Sequence, residues 1–154
     1  MLTNKSIFLA ILFTLSMIMV ACSSQEYTTA KLAIQQSDFP KAAEWLPKAM
    51  AVEPDNPEIP VVLGLEIHAQ DGDWKNMVAM FDKAMAIDPD KEIEVRGSFI
   101  SVKDAVANYI EFYWAKEFNV GVEQFKKIQD DPDNKPQYLE TAISHFQNAA
   151  VINP

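Results

Sequence analysis

Few residues of this chain have the types and spacing that catalysis or metal binding requires. His68 has no cysteine, histidine or carboxylate partner at the spacing of a metal site. His145 has no obvious base or nucleophile beside it, and the sequence contains no Gly-x-Ser-x-Gly or His-Glu-x-x-His motif. The sequence also contains many pairs of carboxylate residues, and these are typical of turns and solvated helix faces. We therefore predict that the protein is not an enzyme and has no catalytic residue, metal or cofactor.

The acidic segment 130–134, Asp-Asp-Pro-Asp-Asn, has the composition of the first part of a calcium-binding loop. Such a loop needs glycine at its sixth position and a bidentate glutamate at its twelfth, and neither follows here. We therefore interpret the segment as a turn.

Cys22, the single cysteine of the chain, is the residue for which covalent chemistry is predicted, since one cysteine cannot form an internal disulfide. A short start with Lys5, an apolar run from Ile7 to Val20 and small residues before Cys22 are typical of a secretory signal peptide. The apolar run falls short of the about 20 residues that a membrane-spanning helix needs. The alternative is a buried structural cysteine in an uncleaved anchor.

Because Cys22 directly follows Ala21, this segment resembles a bacterial lipoprotein signal, although Met19 stands where leucine is more usual. The resemblance implies that residues 1–21 are removed, that Cys22 receives lipid, and that residues 22–26 form a lipidated tether. Ser23, rather than aspartate, after the cysteine implies an outer-membrane anchor facing the periplasm in an organism that has an outer membrane.

The rest of the chain is organised around an octapeptide: Lys48–Asp55 returns 35 residues later as Lys83–Asp90 with six of eight residues identical. A fixed period of this size predicts a repeat architecture. Before each closing proline, apolar residues at i, i+4 and i+7 form one stripe on a helix. The three stripes with their prolines are Ala42, Leu46, Ala49 and Pro54; Met77, Phe81, Ala84 and Pro89; and Ala142, Phe146, Ala149 and Pro154.

Two further matches extend the pattern. The triplet Ser37-Asp38-Phe39 corresponds to Gly72-Asp73-Trp74 at the same offset, and Leu63-Gly64 lies in the preceding helix. Together these residues resemble the tetratricopeptide repeat, whose period is about 34 residues. The resemblance implies an all-α solenoid of stacked helical hairpins over residues 27–154, after the signal peptide. One extra residue before the turn accounts for the period of 35, and the alternative is a helical bundle with accidental similarity.

The third unit is irregular, because about nine residues have been added to it. A long first helix is predicted over about 93–117, with Val95, Phe99 and the residues that follow them in one apolar stripe, and a second helix over about 120–129. The last helix is predicted over about 136–152. No following helix covers its stripe, so we expect either that the chain continues beyond Pro154 or that this face meets a partner.

Partner-binding residues are predicted in two places. By the resemblance, Tyr27 and Lys31 line the groove between the first helices of the repeats, where an apolar and acidic surface is expected. In the third unit, aromatic residues point in several directions around one helix, and one neighbouring hairpin cannot easily bury them all. The candidates there are Tyr109, Phe112, Trp114 and Phe118, and the alternative is a thicker local core.

Composition limits the class of partner. With 13 Lys+Arg against 22 Asp+Glu and no basic stripe, nucleic-acid binding is not expected. The sequence therefore favours a lipid-anchored adaptor of the cell envelope that binds a peptide or helix of another protein in its groove. By resemblance it is an accessory subunit of an assembly machine for outer-membrane barrels, pili or the cell wall. The alternative is an envelope protein with a small-molecule pocket in the aromatic-rich third unit.

Overall fold

The computed structural model describes residues 23–154, so Cys22 and the signal peptide predicted over residues 1–21 lie outside the described part. Within residues 23–154 the chain forms six α-helices and one two-stranded hairpin. The prediction of a mainly helical fold is confirmed, with a small sheet where only helix was expected. None of the described helices is both long and apolar enough to cross a membrane.

The elements follow one another along the chain with short connections. They are α1 (Gln25–Gln35), α2 (Phe39–Val52), α3 (Glu58–Leu63, continued by a π-helical turn at Gly64–His68), α4 (Trp74–Ile87), β1 (Glu92–Val95), β2 (Ser98–Ser101), α5 (Val102–Asp130), a 3-10 turn (Pro132–Asn134) and α6 (Lys135–Ile152).

The turns that open α2 and α4 have the same construction, 35 residues apart. Ser37 and Gly72 adopt left-handed φ angles of 58° and 70°. Asp38 and Asp73 then cap the two helices, each accepting a hydrogen bond of 3.2 Å from the backbone N–H three residues on. The equivalence of these turns, expected from the sequence offset, is confirmed.

The predicted apolar stripes face the core. All six residues of the first two stripes are fully buried: Ala42, Leu46, Ala49, Met77, Phe81 and Ala84. In the third stripe Ala142 and Ala149 are buried, whereas Phe146 is half-buried. Phe146 packs on α5 at Gly121, where a Cβ would come within 2.6 Å of its ring.

A π-helical turn at Gly64–His68 ends the first helix of the second pair. A π turn holds one more residue than the α-helical turn it replaces, and it lies where the extra residue of the 35-residue period was expected. Gly64 brings this turn close to α4, because a Cβ there would lie 2.9 Å from Phe81 Cε1.

The third unit differs from its prediction. Residues 92–101 form an antiparallel hairpin, so the first helix predicted over about 93–117 is wrong at its start, and Val95 and Phe99 lie in strands. Ile93 and Val95 alternate with exposed glutamates, and Arg96 and Gly97 have φ angles of 50° and 79°, as a tight two-residue hairpin turn requires.

The expected break near position 120 is also absent, because α5 runs without interruption from Val102 to Asp130. The third unit therefore has one long helix where two were predicted. Gly121 lies inside this helix, where it contacts Phe146 of α6.

Two apolar clusters hold the elements together. The first joins α1, α2 and α3 around Tyr27, Leu46 and Ile59. The second joins α3 and α4 with the hairpin and α5, and includes Leu65 and Phe81. Ile93 and Val95 of β1 belong to the second cluster, so the hairpin is part of the core.

Candidate binding groove

The two groove residues predicted on α1 meet at one carboxylate. The Tyr27 hydroxyl donates a hydrogen bond of 2.6 Å to Glu58 Oε1, and Lys31 Nζ lies 3.1 Å from the same oxygen. Lys31 Nζ is also 3.5 Å from Glu94 Oε2 on the hairpin. Tyr27 is only 2% exposed, so it forms part of the groove floor, whereas Lys31 lies at the rim.

Glu58 links three elements. Its Oε1 accepts the hydrogen bond from Tyr27 of α1, and its Oε2 accepts a hydrogen bond of 3.2 Å from the backbone N–H of Glu94 in β1. An extended strand is thus held on this face by a carboxylate from the first helix of the second pair. Sequence reasoning missed Glu58, because its partners Tyr27 and Glu94 lie 31 and 36 residues away along the chain.

A second ion pair holds the hairpin tip. Arg96 Nε donates to Glu66 Oε1 at 2.7 Å, and the guanidinium lies 5.7 Å from the ring centroid of Tyr109. Glu66 belongs to the π-helical turn. This irregular turn therefore supplies the carboxylate that pairs with Arg96 at the hairpin tip. Tyr109, a predicted partner-binding residue, is half-buried beneath Arg96.

Two depressions that share Tyr27 and Lys31 form one continuous surface, here named the α1/hairpin groove. The outer depression, of about 560 Å³, extends from Ser23 past Pro54 to Lys91. The inner depression, of about 350 Å³, lies between α1, α3 and the hairpin tip. Ile34 and Val62 give the inner depression an apolar floor.

The electrostatics of the groove favour positive charge. Burial, and then the charge of Glu58, raise the pKa of Tyr27 far above its ordinary value. Burial alone would lower the pKa of Lys31, but the hydrogen bond and charge of Glu58, aided by Glu94, outweigh it and raise that pKa. The hydrogen bond to Glu66 likewise raises the pKa of Arg96. Lys31 on α1 and Arg96 at the hairpin tip thus lie in a negative field.

None of the aromatic residues predicted as partner anchors on α5 is fully buried. Phe112 and Phe118 are 57% and 40% exposed. Their neighbour Tyr113, which was not one of the predicted anchors, is buried with its ring centroid 5.3 Å from that of Trp74. Trp114 is half-buried and stacks on Phe118 at 5.2 Å with 12° between the rings. Phe118 in turn lies 5.4 Å from Phe146 of α6.

Two other phenylalanines in this part of the chain are largely exposed. Phe99 on β2 is 76% exposed and Phe125 on α5 is 56% exposed. Phe99 was assigned to a buried helical stripe, and its exposure follows from the strand, in which it lies on the outward face with Glu94.

A cluster that sequence reasoning missed joins α5 and α6. Glu117, only 6% exposed, accepts hydrogen bonds from His145 Nδ1 and Asn148 Nδ2, both at 2.8 Å on Oε2. His145 therefore has a carboxylate beside it, contrary to the expectation from the sequence. No described nucleophile bonds to this histidine, so the cluster is an interhelical polar contact.

The depression beside Phe112 bears on the small-molecule alternative. It has a volume of about 480 Å³, and every residue that lines it belongs to α5, from Asn108 to Asn119. Small-molecule sites are usually concave and enclose most of the ligand, with polar groups converging from several elements. A depression along one helix lacks that arrangement.

Among the described residues, no group of three or more histidine, cysteine, aspartate or glutamate side chains could hold a metal ion. No protein-family model matches the chain, and a search of curated proteins finds no match. The geometry of the described residues defines a charged, partly apolar groove.

Proposed function

We propose that this protein is a lipid-anchored tetratricopeptide-type adaptor of the bacterial cell envelope. In this proposal, lipid on Cys22 anchors the chain to the periplasmic face of the outer membrane. The α1/hairpin groove binds a segment of another protein, and the chain acts as an accessory subunit of an envelope assembly machine.

Equivalent helix pairs support the repeat architecture. The second helices, α2 and α4, begin after matching left-handed residues, Ser37 and Gly72, and bury the same three positions of their stripes. Their first helices, α1 and α3, both border the groove. In repeat proteins of this kind, the surface formed by successive units is the usual binding surface.

The observation that carries the proposal is the α1/hairpin groove itself. It runs across two repeat units, has an apolar floor at Ile34 and Val62, and is bordered by charged side chains held in fixed positions by Glu58 and Glu66. Grooves with apolar floors and polar rims are typical of peptide recognition. The envelope location rests on the sequence pattern before Cys22.

Co-purification from detergent tests the proposal. The full-length protein, solubilised from its own membranes, should bring a stoichiometric protein partner. Gln35 lines the inner depression and is exposed, so Gln35→Trp should obstruct the groove without disturbing the core. Gln36→Trp is the matched control, because Gln36 is exposed at the next position but does not line the groove.

We expect the partner to be retained by Gln36→Trp and lost by Gln35→Trp, with equal thermal stability of the two variants. If Gln35→Trp retains the partner, the partner binds at a surface other than the α1/hairpin groove. If neither the unmodified protein nor Gln36→Trp brings a partner, the adaptor function is wrong.

A further inference from the structure

We infer that the α1/hairpin groove binds an extended segment of a partner protein in which basic side chains stand beside apolar ones. The inference rests on the proposed function, in which this groove is the partner site, and it adds the chemistry and conformation of the ligand.

The conformation follows from what already lies on this face. β1 is an extended strand, and Glu58 accepts the N–H of its residue Glu94 from the side that β2 does not cover. The inner depression borders that same side of β1, with Glu94, Arg96 and Gly97 on one wall and α1 on the other. Because Glu58 already accepts the N–H of Glu94, a peptide here would lie along β1 without pairing to it at this residue. An extended backbone fits the space between β1 and α1 and directs alternate side chains to opposite faces.

The alternation of side chains along an extended peptide explains why the ligand should combine apolar with charged residues. One set of side chains would face the floor at Ile34 and Val62, and the other set would face the charged rim. Burial of a single aliphatic side chain on such a floor contributes favourably, while the rim sets which charge is accepted.

The charge of the rim favours a basic ligand. Carboxylates outnumber cations along the two depressions by five to three: Glu53, Asp55, Glu58, Glu66 and Glu94 against Lys31, Lys91 and Arg96. Two of those cations are already paired within the groove, Lys31 with Glu58 and Glu94, and Arg96 with Glu66. Outside these ion pairs, the described rim has two carboxylates, Glu53 and Asp55, and one cation, Lys91, so the excess charge that a ligand meets is negative.

The same side chains exclude one familiar ligand. A partner's C-terminal carboxylate would need free cationic donors at the centre of the groove, but Lys31 lies between two carboxylates at 3.1 and 3.5 Å. The negative field that raises the pKa of Lys31 also opposes an added carboxylate. An internal, basic segment satisfies the groove better than a chain terminus.

The test uses the full-length lipidated protein in a non-ionic detergent, with protein-free micelles as the blank. The probes are three capped nonapeptides that alternate valine with lysine, glutamate or glutamine and carry a central photo-crosslinking benzoylphenylalanine. Fluorescence anisotropy gives the dissociation constants, and mass spectrometry locates the cross-links. We expect the lysine peptide to bind at least ten-fold more tightly than the others and to cross-link near Ile34 and Gly97.

Charge neutralisation supplies the matched variants. The double variant Asp55→Asn/Glu94→Gln removes two exposed rim charges. It should raise the dissociation constant of the lysine peptide about ten-fold, the change expected when two favourable charge contacts are lost. Asp82→Asn with Glu123→Gln removes two exposed charges outside the groove and should leave the affinity unchanged. Circular dichroism of both double variants verifies folding.

The outcomes separate the two levels of the proposal. If all three peptides cross-link in the groove with equal affinity, the inferred ligand charge is wrong and the groove remains the partner site. If both double variants weaken the lysine peptide equally, the preference is a general effect of the acidic surface and the inference also fails. If no peptide cross-links in the groove, both the inference and the proposed groove function are wrong.

Discussion

Glu117 on α5 accepts a hydrogen bond of 2.8 Å from His145 Nδ1 on α6, although the two residues are 28 positions apart. Asn148 donates to the same carboxylate oxygen, and Glu117 is almost completely removed from solvent. A buried carboxylate is tolerated when hydrogen bonds replace its lost hydration. The stability of the last helical hairpin should therefore depend on this cluster.

The first prediction removes the donors. The double variant His145→Ala/Asn148→Ala should lower the free energy of unfolding by about 3–5 kcal/mol, because it leaves a buried charge unpaired. Glu117→Gln keeps an acceptor for both donors and should cost far less, about 1 kcal/mol. Urea unfolding followed by circular dichroism measures both. Equal stability of the double variant and the parent protein would show that the buried carboxylate needs no partners.

The second prediction compares two glycines that contact phenylalanine rings. Gly64→Ala should lower the free energy of unfolding by about 1–3 kcal/mol, since its Cβ would lie 2.9 Å from Phe81, which is fully buried and has no space to move. Gly121→Ala should cost less, because Phe146 is half-buried and its ring can turn outward. Thermal melts of the two variants provide the comparison, and a larger loss for Gly121→Ala would contradict it.

The helix pairs were predictable because their signals are local and repeated. The octapeptide period, the capping aspartates and the i, i+4, i+7 stripes all indicate the same structure for α2 and α4. The hairpin was missed because two periods compete there. Val95 and Phe99 continue the helical spacing of Val102 and Val106, while Ile93 and Val95 also alternate with glutamates. Long-range contacts through Glu58 and Glu66 support the strand.

In the candidate site, too, local sequence patterns predicted some residues, whereas their partners lie far away along the chain. Tyr27 and Lys31 were predicted from the repeat pattern, but their carboxylate partners come from α3 and β1. The pair Glu117 and His145 was hidden by the break expected near position 120. In one continuous antiparallel hairpin, residues at similar distances from the turn at Pro132–Asn134 face each other. That geometry could have indicated the pair.

The third prediction concerns membrane attachment. Cys22→Ser should abolish lipid attachment and release the protein from the membrane fraction. A single acyl chain binds a membrane only marginally, whereas the two or three chains expected on Cys22 anchor it stably. Membrane fractionation and intact-mass measurement check the result, with Ser23→Ala as the control that should stay anchored. Persistence of the Cys22→Ser protein in the outer-membrane fraction would show that the lipoprotein interpretation is wrong.

The fourth prediction is a dependence of stability on pH. Burial alone would raise the pKa of Glu53, but hydrogen bonds from Ser24 and Asn56 outweigh it and hold that pKa below its ordinary value. A carboxylate with a lowered folded-state pKa contributes stability above its unfolded pKa, about 4.3 for glutamate. That contribution is lost as the pH falls through the folded-state pKa.

Glu53→Gln should therefore make the decrease in melting temperature between pH 5 and pH 3 less steep. Asn56→Ala removes one donor but keeps the carboxylate, so its slope should lie between those of Glu53→Gln and the parent protein. Differential scanning calorimetry across this range measures the slopes. An unchanged slope in Glu53→Gln would mean that other carboxylates account for the acid sensitivity.

The last prediction separates the aromatic residues of α5 by their surroundings. Tyr113 is buried against Trp74, so Tyr113→Ala should cost about 3–5 kcal/mol, the range for emptying a core aromatic. Phe112 is mostly exposed, so Phe112→Ala should change stability by less than about 0.5 kcal/mol. Trp114→Ala should fall between them, because Trp114 is half-buried and loses its stacking on Phe118.

Partner binding then gives the second measurement for Phe112→Ala and Tyr113→Ala. If the exposed side of α5 anchors a partner, Phe112→Ala should lose partner capture from detergent extracts while its melting temperature stays constant, since exposed aromatic residues often dominate interface energy. If the partner is bound by the α1/hairpin groove alone, Phe112→Ala should capture it normally and Gln35→Trp should not. Loss of capture in Tyr113→Ala alone would report unfolding, because Tyr113 has almost no exposed surface to offer a partner.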